Sequence, residues 1–276
     1  MDIGVSMFCT DYSMRIDDVA REAESRGFES LCVPEHTHIP ANRLSPWPGG
    51  GELPREYYRT LDPFVGLMAA AAATKDLRVI TGIALLTERD PIVCAKEAAT
   101  IDYLSNGRFE LGIGAGWNAE EMENHGTAFS DRFKLMCDRA KAIQTIWNEE
   151  KAEYHGPFVN FDPLYSYPKP IQKPLPILIG GETKYSLQRI VDFCNGWLPR
   201  ARSFSDPNAE VERLKRVADK KGRDMDTIKI SVFGAPADAK ILDSYRQAGV
   251  HRALIGLPPS GTDVILSSLD DYTTLL

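Results

Sequence analysis

The chain has 276 residues, 43% hydrophobic and 26% charged, with a formal net charge of -7. Disorder is excluded by the apolar content, and the acidic balance argues against nucleic acid or an anionic membrane as a partner, since both need a basic face. An anionic small molecule stays compatible, because backbone N–H groups and one local cation can hold it.

Residues 2–8 (DIGVSMF) read as a strand and 16–27 as an amphipathic helix stopped by Gly27. A strand at 30–35 (SLCVPE) leads into residues 37–60, rich in Pro and Gly and too long for an ordinary connection, so a functional loop is expected. A helix at 61–74, a strand at 78–85 (RVITGIAL), a helix at 91–104, a strand at 108–114 (RFELGIG) and a long helix at 130–149 follow. Residues 151–174 read as a second irregular stretch. The alternation then resumes: strand 176–180, helix 184–194, strand 196–199, helix 207–221, strand 228–233, helix 237–248, strand 252–257, helix 262–270.

These are eight β-then-α units. The strands are short and apolar without strict alternation, as expected when both faces are buried. A doubly wound open sheet is the competing arrangement. Eight units, with the last strand leading straight into a helix, favour a closed (β/α)8 TIM barrel spanning 1–276 as a single domain with insertion loops.

Five cysteines (Cys9, Cys32, Cys94, Cys137, Cys194) are scattered, odd in number and without CxxC spacing. They read as buried free thiols in a reducing compartment. No signal peptide is visible at the first residues, and no apolar run approaches the ~18 residues of a membrane span. A cytoplasmic location is the expectation.

In such a barrel the loops after the strands build the site. Strand two ends at Glu35, His36, Thr37 and His38. Strand three carries Thr81, Gly82, Ile83 and Ala84, with Thr87, Glu88 and Arg89 beyond. Strand four ends at Gly114, Ala115, Gly116, Trp117 and Asn118, then Glu120 and Glu121. Strand five ends at Gly180, Gly181, Glu182 and Thr183, and strand six at Arg200. His and carboxylate suit a metal, but His36 and His38 are two apart and no other strand end supplies a His, so no metal is expected. His36 either caps a strand end or, the preferred reading, hydrogen-bonds a planar cofactor or moves a proton. Gly114-Ala115-Gly116 is either a tight turn or a place where backbone approaches a ligand; it is no dinucleotide fingerprint. Gly180, Gly181 and Thr183 at a helix N-terminus form a phosphate nest, a reading compatible with Thr183 as an ordinary cap.

Three segments resemble one family, in the right order along the chain: PEHTHIP (34–40), LSNGRFELGIGAGWNAEEMENHG (104–126), and PKPIQKPLPILIGG (168–181) followed by Asn195-Gly196-Trp197-Leu198-Pro199. They are similar to the luciferase-like monooxygenases, and the PEH and GAGWN signatures most resemble the branch that uses the deazaflavin coenzyme F420. The resemblance implies a tricyclic ring across the barrel mouth, backed by a strand-three bulge with a non-proline cis peptide at Gly82–Ile83. It implies that Glu35 and His36, at the strand-two end, lie at the cofactor, with His36 against the ring or substrate. Thr81, Gly82 and Ile83 would lie behind the ring; Ala115, Gly116, Trp117 and Asn118 would carry the side-chain linkage, and Gly180, Gly181 and Thr183 the phosphate. Where sugar-phosphate dehydrogenases of this superfamily place a proton-donating Glu, this chain has Trp117, which points to an apolar or planar small-molecule substrate.

The implied activity is F420-dependent hydride transfer, with His36 as the catalytic residue. The alternatives are an FMN-dependent monooxygenase, a non-catalytic binder of a flavin or deazaflavin, and, disfavoured, a metal-dependent hydrolase. A homodimer is implied by the resemblance alone.

Overall fold

Asp–Pro pairs start three of the helices. In α3 (Pro63–Ala72), α4 (Pro91–Leu104) and α8 (Pro207–Lys221), the Asp side chain (Asp62, Asp90, Asp206) accepts backbone N–H bonds of the first turn, while proline occupies the first helical position. That position has no intrahelical N–H partner to lose. In α1 (Ile16–Ser25), Ile16, Val19, Ala20 and Ala23 make one buried stripe. The remaining helices are α2 (Arg55–Arg59), α5 (Ala119–Asn124), α6 (Arg132–Asn148), α7 (Lys184–Phe193), α9 (Ala239–Gln247) and α10 (Thr262–Thr273). The structure is a computed structural model that describes residues 1–276.

The strands are β1 (Asp2–Ser6), β2 (Ser30–Val33), β3 (Arg78–Thr81), β4 (Ala84–Leu85), β5 (Phe109–Gly114), β6 (Ala152–His155), β7 (Asn160–Leu164), β8 (Ile177–Gly180), β9 (Gly196–Leu198), β10 (Lys229–Ala235) and β11 (Arg252–Gly256). Parallel pairings run β1–β2–β3–β5–β8–β9–β10–β11 and close from β11 back onto β1, where Asp2 faces Arg252 and Gly4 faces Leu254. The result is a closed eight-stranded parallel barrel ringed by helices, as the alternation implied.

The run 78–85, read as one strand, is one barrel position made of two strands, β3 and β4, and the break falls at a cis Gly82–Ile83 peptide, where the family resemblance placed a strand-three bulge. The stretch 151–174, read as irregular, contains an antiparallel hairpin, β6–β7, outside the barrel. Its strands are largely exposed and carry polar residues and Pro163, so they lack the apolar run that marks a strand.

Alternation along the strands divides the core into two. Leu31, Val33, Val79, Ile177, Ile179, Trp197, Ala253 and Ile255 face the helices in a 58-residue cluster. Cys32, Ile80, Leu178, Leu198 and Leu254 form a separate cluster that fills the barrel interior, topped by Ile83 and Phe233. Below it, at the N-terminal ends of the strands, Arg252 joins Glu110 and Glu29. Cys9, Cys32, Cys94 and Cys194 are buried, Cys137 is half-buried, and all five are free thiols. No helix is long and apolar enough to cross a membrane.

Candidate active site

Above Ile83 and Phe233 the barrel opens into a cavity of about 550 Å³, within the range of small-molecule and cofactor sites. It lies at the C-terminal ends of the strands, where barrels of this type carry chemistry.

Part of its lining is almost free of side chains. Gly82, Gly114, Gly116, Gly180, Gly181 and Gly234 all contribute. Ile83 occupies the space that side chains on two of them would need: a Cβ on Gly114 would lie 1.8 Å from Ile83 Cδ1, and one on Gly180 3.3 Å from Ile83 Cγ2. Gly116 and Gly181 also adopt left-handed φ values of 73° and 102°, a conformation that favours glycine.

Another part is aromatic. Tyr57 packs on Phe8 (ring centroids 4.6 Å), on His36 (5.2 Å) and on Trp47 (5.8 Å), and His36 meets Trp117 edge-on at 5.7 Å. Trp47 and Tyr57 come from the 37–60 loop, which places a short helix, α2, over the mouth. That loop is clipped to α5 by one carboxylate. Glu120 Oε1 accepts the N–H groups of Leu44 (2.9 Å) and Ser45 (3.1 Å), while Ser45 Oγ accepts Ala119 N–H at 3.0 Å.

His36 is 8% exposed. Its Nδ1 lies 2.8 Å from Oε2 of Glu121, whose other oxygen accepts the Thr37 N–H at 3.1 Å. The ring is therefore oriented from behind, and Nε2 is the nitrogen left for chemistry. His38 turns elsewhere, to Thr37 Oγ1 and the Asn124 amide. Glu35 lines the cavity, but both oxygens are engaged: one accepts Leu85 N–H at 2.6 Å, the other Arg89 Nε at 2.7 Å. It ties the end of β2 to β4, next to the Gly82–Ile83 break.

Of the other residues singled out from the sequence, Gly82, Ile83, Ala115, Gly116, Trp117, Gly180 and Gly181 line the cavity with Glu35 and His36. Thr81 and Asn118 are buried outside its lining; the Thr81 hydroxyl donates to Gly112 O at 2.8 Å, and the Asn118 amide has no partner. Thr183 is exposed and caps α7, its hydroxyl accepting Ser186 N–H at 3.1 Å.

Other lining residues had no role assigned from the sequence. Arg200 pairs with Glu182 through Nε (3.0 Å) and Nη2 (2.6 Å), which leaves Arg202 as the cavity's cation without a carboxylate partner. Glu121 and Glu88 stand behind His36. Their positions past strand ends were legible, but not the contact of Glu121 with His36, 85 positions away.

A sequence profile of the luciferase-like monooxygenases matches residues 11–258. The uncharacterized protein Rv0953c of Mycobacterium tuberculosis is 37% identical over 267 residues, covering 95% of this chain and 94% of that protein. Among solved structures, an F420-dependent secondary alcohol dehydrogenase in complex with an F420–acetone adduct superposes with a TM-score of 0.79 at 17% identity, covering 100% of this chain and 98% of the other. The monooxygenase RslO1 of Streptomyces bottropensis gives 0.78 at 19% identity, with the same coverage. The closed barrel, the cavity at its C-terminal mouth and a profile match over most of the length agree: the chain belongs to the luciferase-like monooxygenase family and is an enzyme of the oxidoreductase class.

Proposed function

We propose that the cavity binds the deazaflavin coenzyme F420 and that the protein transfers a hydride between this cofactor and a small, apolar or planar organic substrate. The observation that carries this reading is the lining itself, in which a glycine surface around Ile83 adjoins a cluster of His36, Tyr57 and Trp117. Backbone without side chains lets a flat ring system approach in van der Waals contact, and Gly114 and Gly180 leave the room in which Ile83, the side chain that would back the ring, is seated. The likeness to a dehydrogenase described with F420 supports the deazaflavin.

Bound there, the deazaflavin would supply hydride chemistry at C5. The protein's residues do the rest. Ile83 and the glycines back one face of the slot. His36, held through Nδ1 by Glu121, gives or takes at Nε2 the proton that accompanies hydride transfer. Gly180, Gly181 and Thr183 at the N-terminus of α7, with Arg202 nearby at the mouth, provide N–H groups and positive charge for a phosphate. Trp47, Tyr57 and Trp117 shield the reacting centre from water.

Fluorescence titration of the apoprotein with F420 and with FMN tests the reading. Tight binding of F420 and weak binding of FMN are expected. The reverse order would replace it with an FMN-dependent monooxygenase, and binding of neither would refute a cofactor role for this cavity.

A further inference from the structure

Two buried carboxyl groups stand in contact behind His36, and their surroundings are unequal. Glu121 is fully buried and well supplied with donors, from Thr37 N–H at 3.1 Å and from His36 Nδ1 at 2.8 Å. The Glu88 side chain is 1% exposed, and neither of its oxygens receives a donor. Its carboxyl lies against that of Glu121.

No free cation compensates Glu88. The Arg89 guanidinium is shared among Glu35, Asp62 and Glu97. His125, at the end of α5, places Nε2 3.8 Å from Glu88 Oε2, but burial and the neighbouring His38 push the pKa of its imidazole down and favour the neutral ring. Glu35, at the end of β2, adds negative charge. On the remaining side Gly116 presents only backbone, a Cβ there being 3.8 Å from Glu88 Oε1.

Two touching carboxylates in a dry site cannot both hold a charge; the pair keeps one proton, on the member with fewer donors. We propose that Glu88 is that member, a positioning residue whose neutral carboxylic acid donates a hydrogen bond to Glu121 and so keeps a single negative charge facing His36. Burial, and after it the charges of Glu121 and Glu35, push the Glu88 carboxyl up to about 9, in keeping with this geometry. Ionisation of Glu88 would place a second negative charge behind the ring. The bearing on turnover rests on the proton-handling role proposed for His36, but the shared proton does not.

The test uses apoprotein labelled with ¹⁵N-histidine, so a failure of cofactor binding leaves it intact. The His36 ring signals are followed from neutral pH to above about 9. The wild type should show a step in that range. Glu88→Gln, whose amide still donates to Glu121, should keep the neutral-pH signals and lose the step, whereas Glu88→Ala should shift the signals at neutral pH. A step that persists in Glu88→Gln, or its absence from the wild type, overturns the proposal. Infrared spectroscopy of ¹³C-glutamate-labelled wild type needs no variant. A buried protonated-carboxyl band at neutral pH, vanishing across the same range, is expected, and its absence refutes the shared proton.

Discussion

At the base of the barrel Arg252 is 3% exposed and reaches Glu29 and Glu110 through four hydrogen bonds of 2.7–2.9 Å, while at the mouth the equally buried carboxyl of Glu88 receives none. Burial alone would push the Glu110 carboxyl up, yet the Arg252 and Arg78 guanidiniums outweigh it and hold the pKa at about 2. Behind His36 the same penalty is left uncompensated, and the Glu88 carboxyl rises to about 9. One scaffold thus contains a charge network whose donors and acceptors are matched and another left short of donors beside the cavity. The contrast separates groups that hold the barrel closed from groups available for proton chemistry.

The contrast can be broken from the base first. Arg252→Ala strands Glu110 with only Arg78 as counter-charge and should cost about 3–5 kcal/mol, the usual penalty for removing one partner of a buried ion pair. Denaturant midpoints measure it, and a loss below ~1 kcal/mol would mean that the base network is not a stabilising element. At the mouth, His36→Ala takes one of the two donors from the buried Glu121 carboxylate, so it should cost about 1–3 kcal/mol of stability and lower turnover by about 10²–10⁴-fold with cofactor affinity largely kept; an unchanged rate dismisses the acid–base role.

Glu88 offers a finer comparison through pH. Its folded-state pKa is raised, so between the ordinary value of 4.5 and about 9 the folded protein holds a proton that the unfolded chain releases. This contribution favours folding fully below that range and is lost as pH rises through it. Glu88→Gln should therefore gain stability relative to the wild type with increasing pH, by at most about 1.4 kcal/mol per pH unit. Parallel slopes in denaturant titrations at several pH values would contradict the assignment. The smallest effect belongs to Thr183. Its replacement by Ala should cost about 1 kcal/mol as a lost N-cap, restored by Ser. A drop in cofactor affinity beyond the loss of stability would give the hydroxyl a part in binding as well.

Local signals made most of the barrel legible. Asp–Pro pairs and Gly27 mark helix boundaries, and runs such as LCV and ILIG are strands whose two faces are both buried. The family resemblance marked the interruption of RVITGIAL at Gly82–Ile83, but the hydropathy pattern hides it, because nothing there separates Thr81 from Ala84. The hairpin at 152–164 escaped for the opposite reason, since its residues are polar and exposed. At the site, His36 and the glycine loops could be read from their places after strands. The Glu121–His36 contact and the Glu88 pairing depend on how α5 folds back over the end of β2, a long-range arrangement that spacing along the chain does not encode.

The clip between Glu120 and the backbone of Leu44 and Ser45 has an evolutionary consequence. It grips main chain, so the side chains of residues 46–58 are free to change while the anchor persists. Trp47 and Tyr57 can thus be exchanged for residues of other size or polarity without altering a rung of the barrel's ladder. Divergence among descendants of such an ancestor would concentrate in this segment, with new substrates acquired by re-cutting the cover while the vessel beneath is inherited intact.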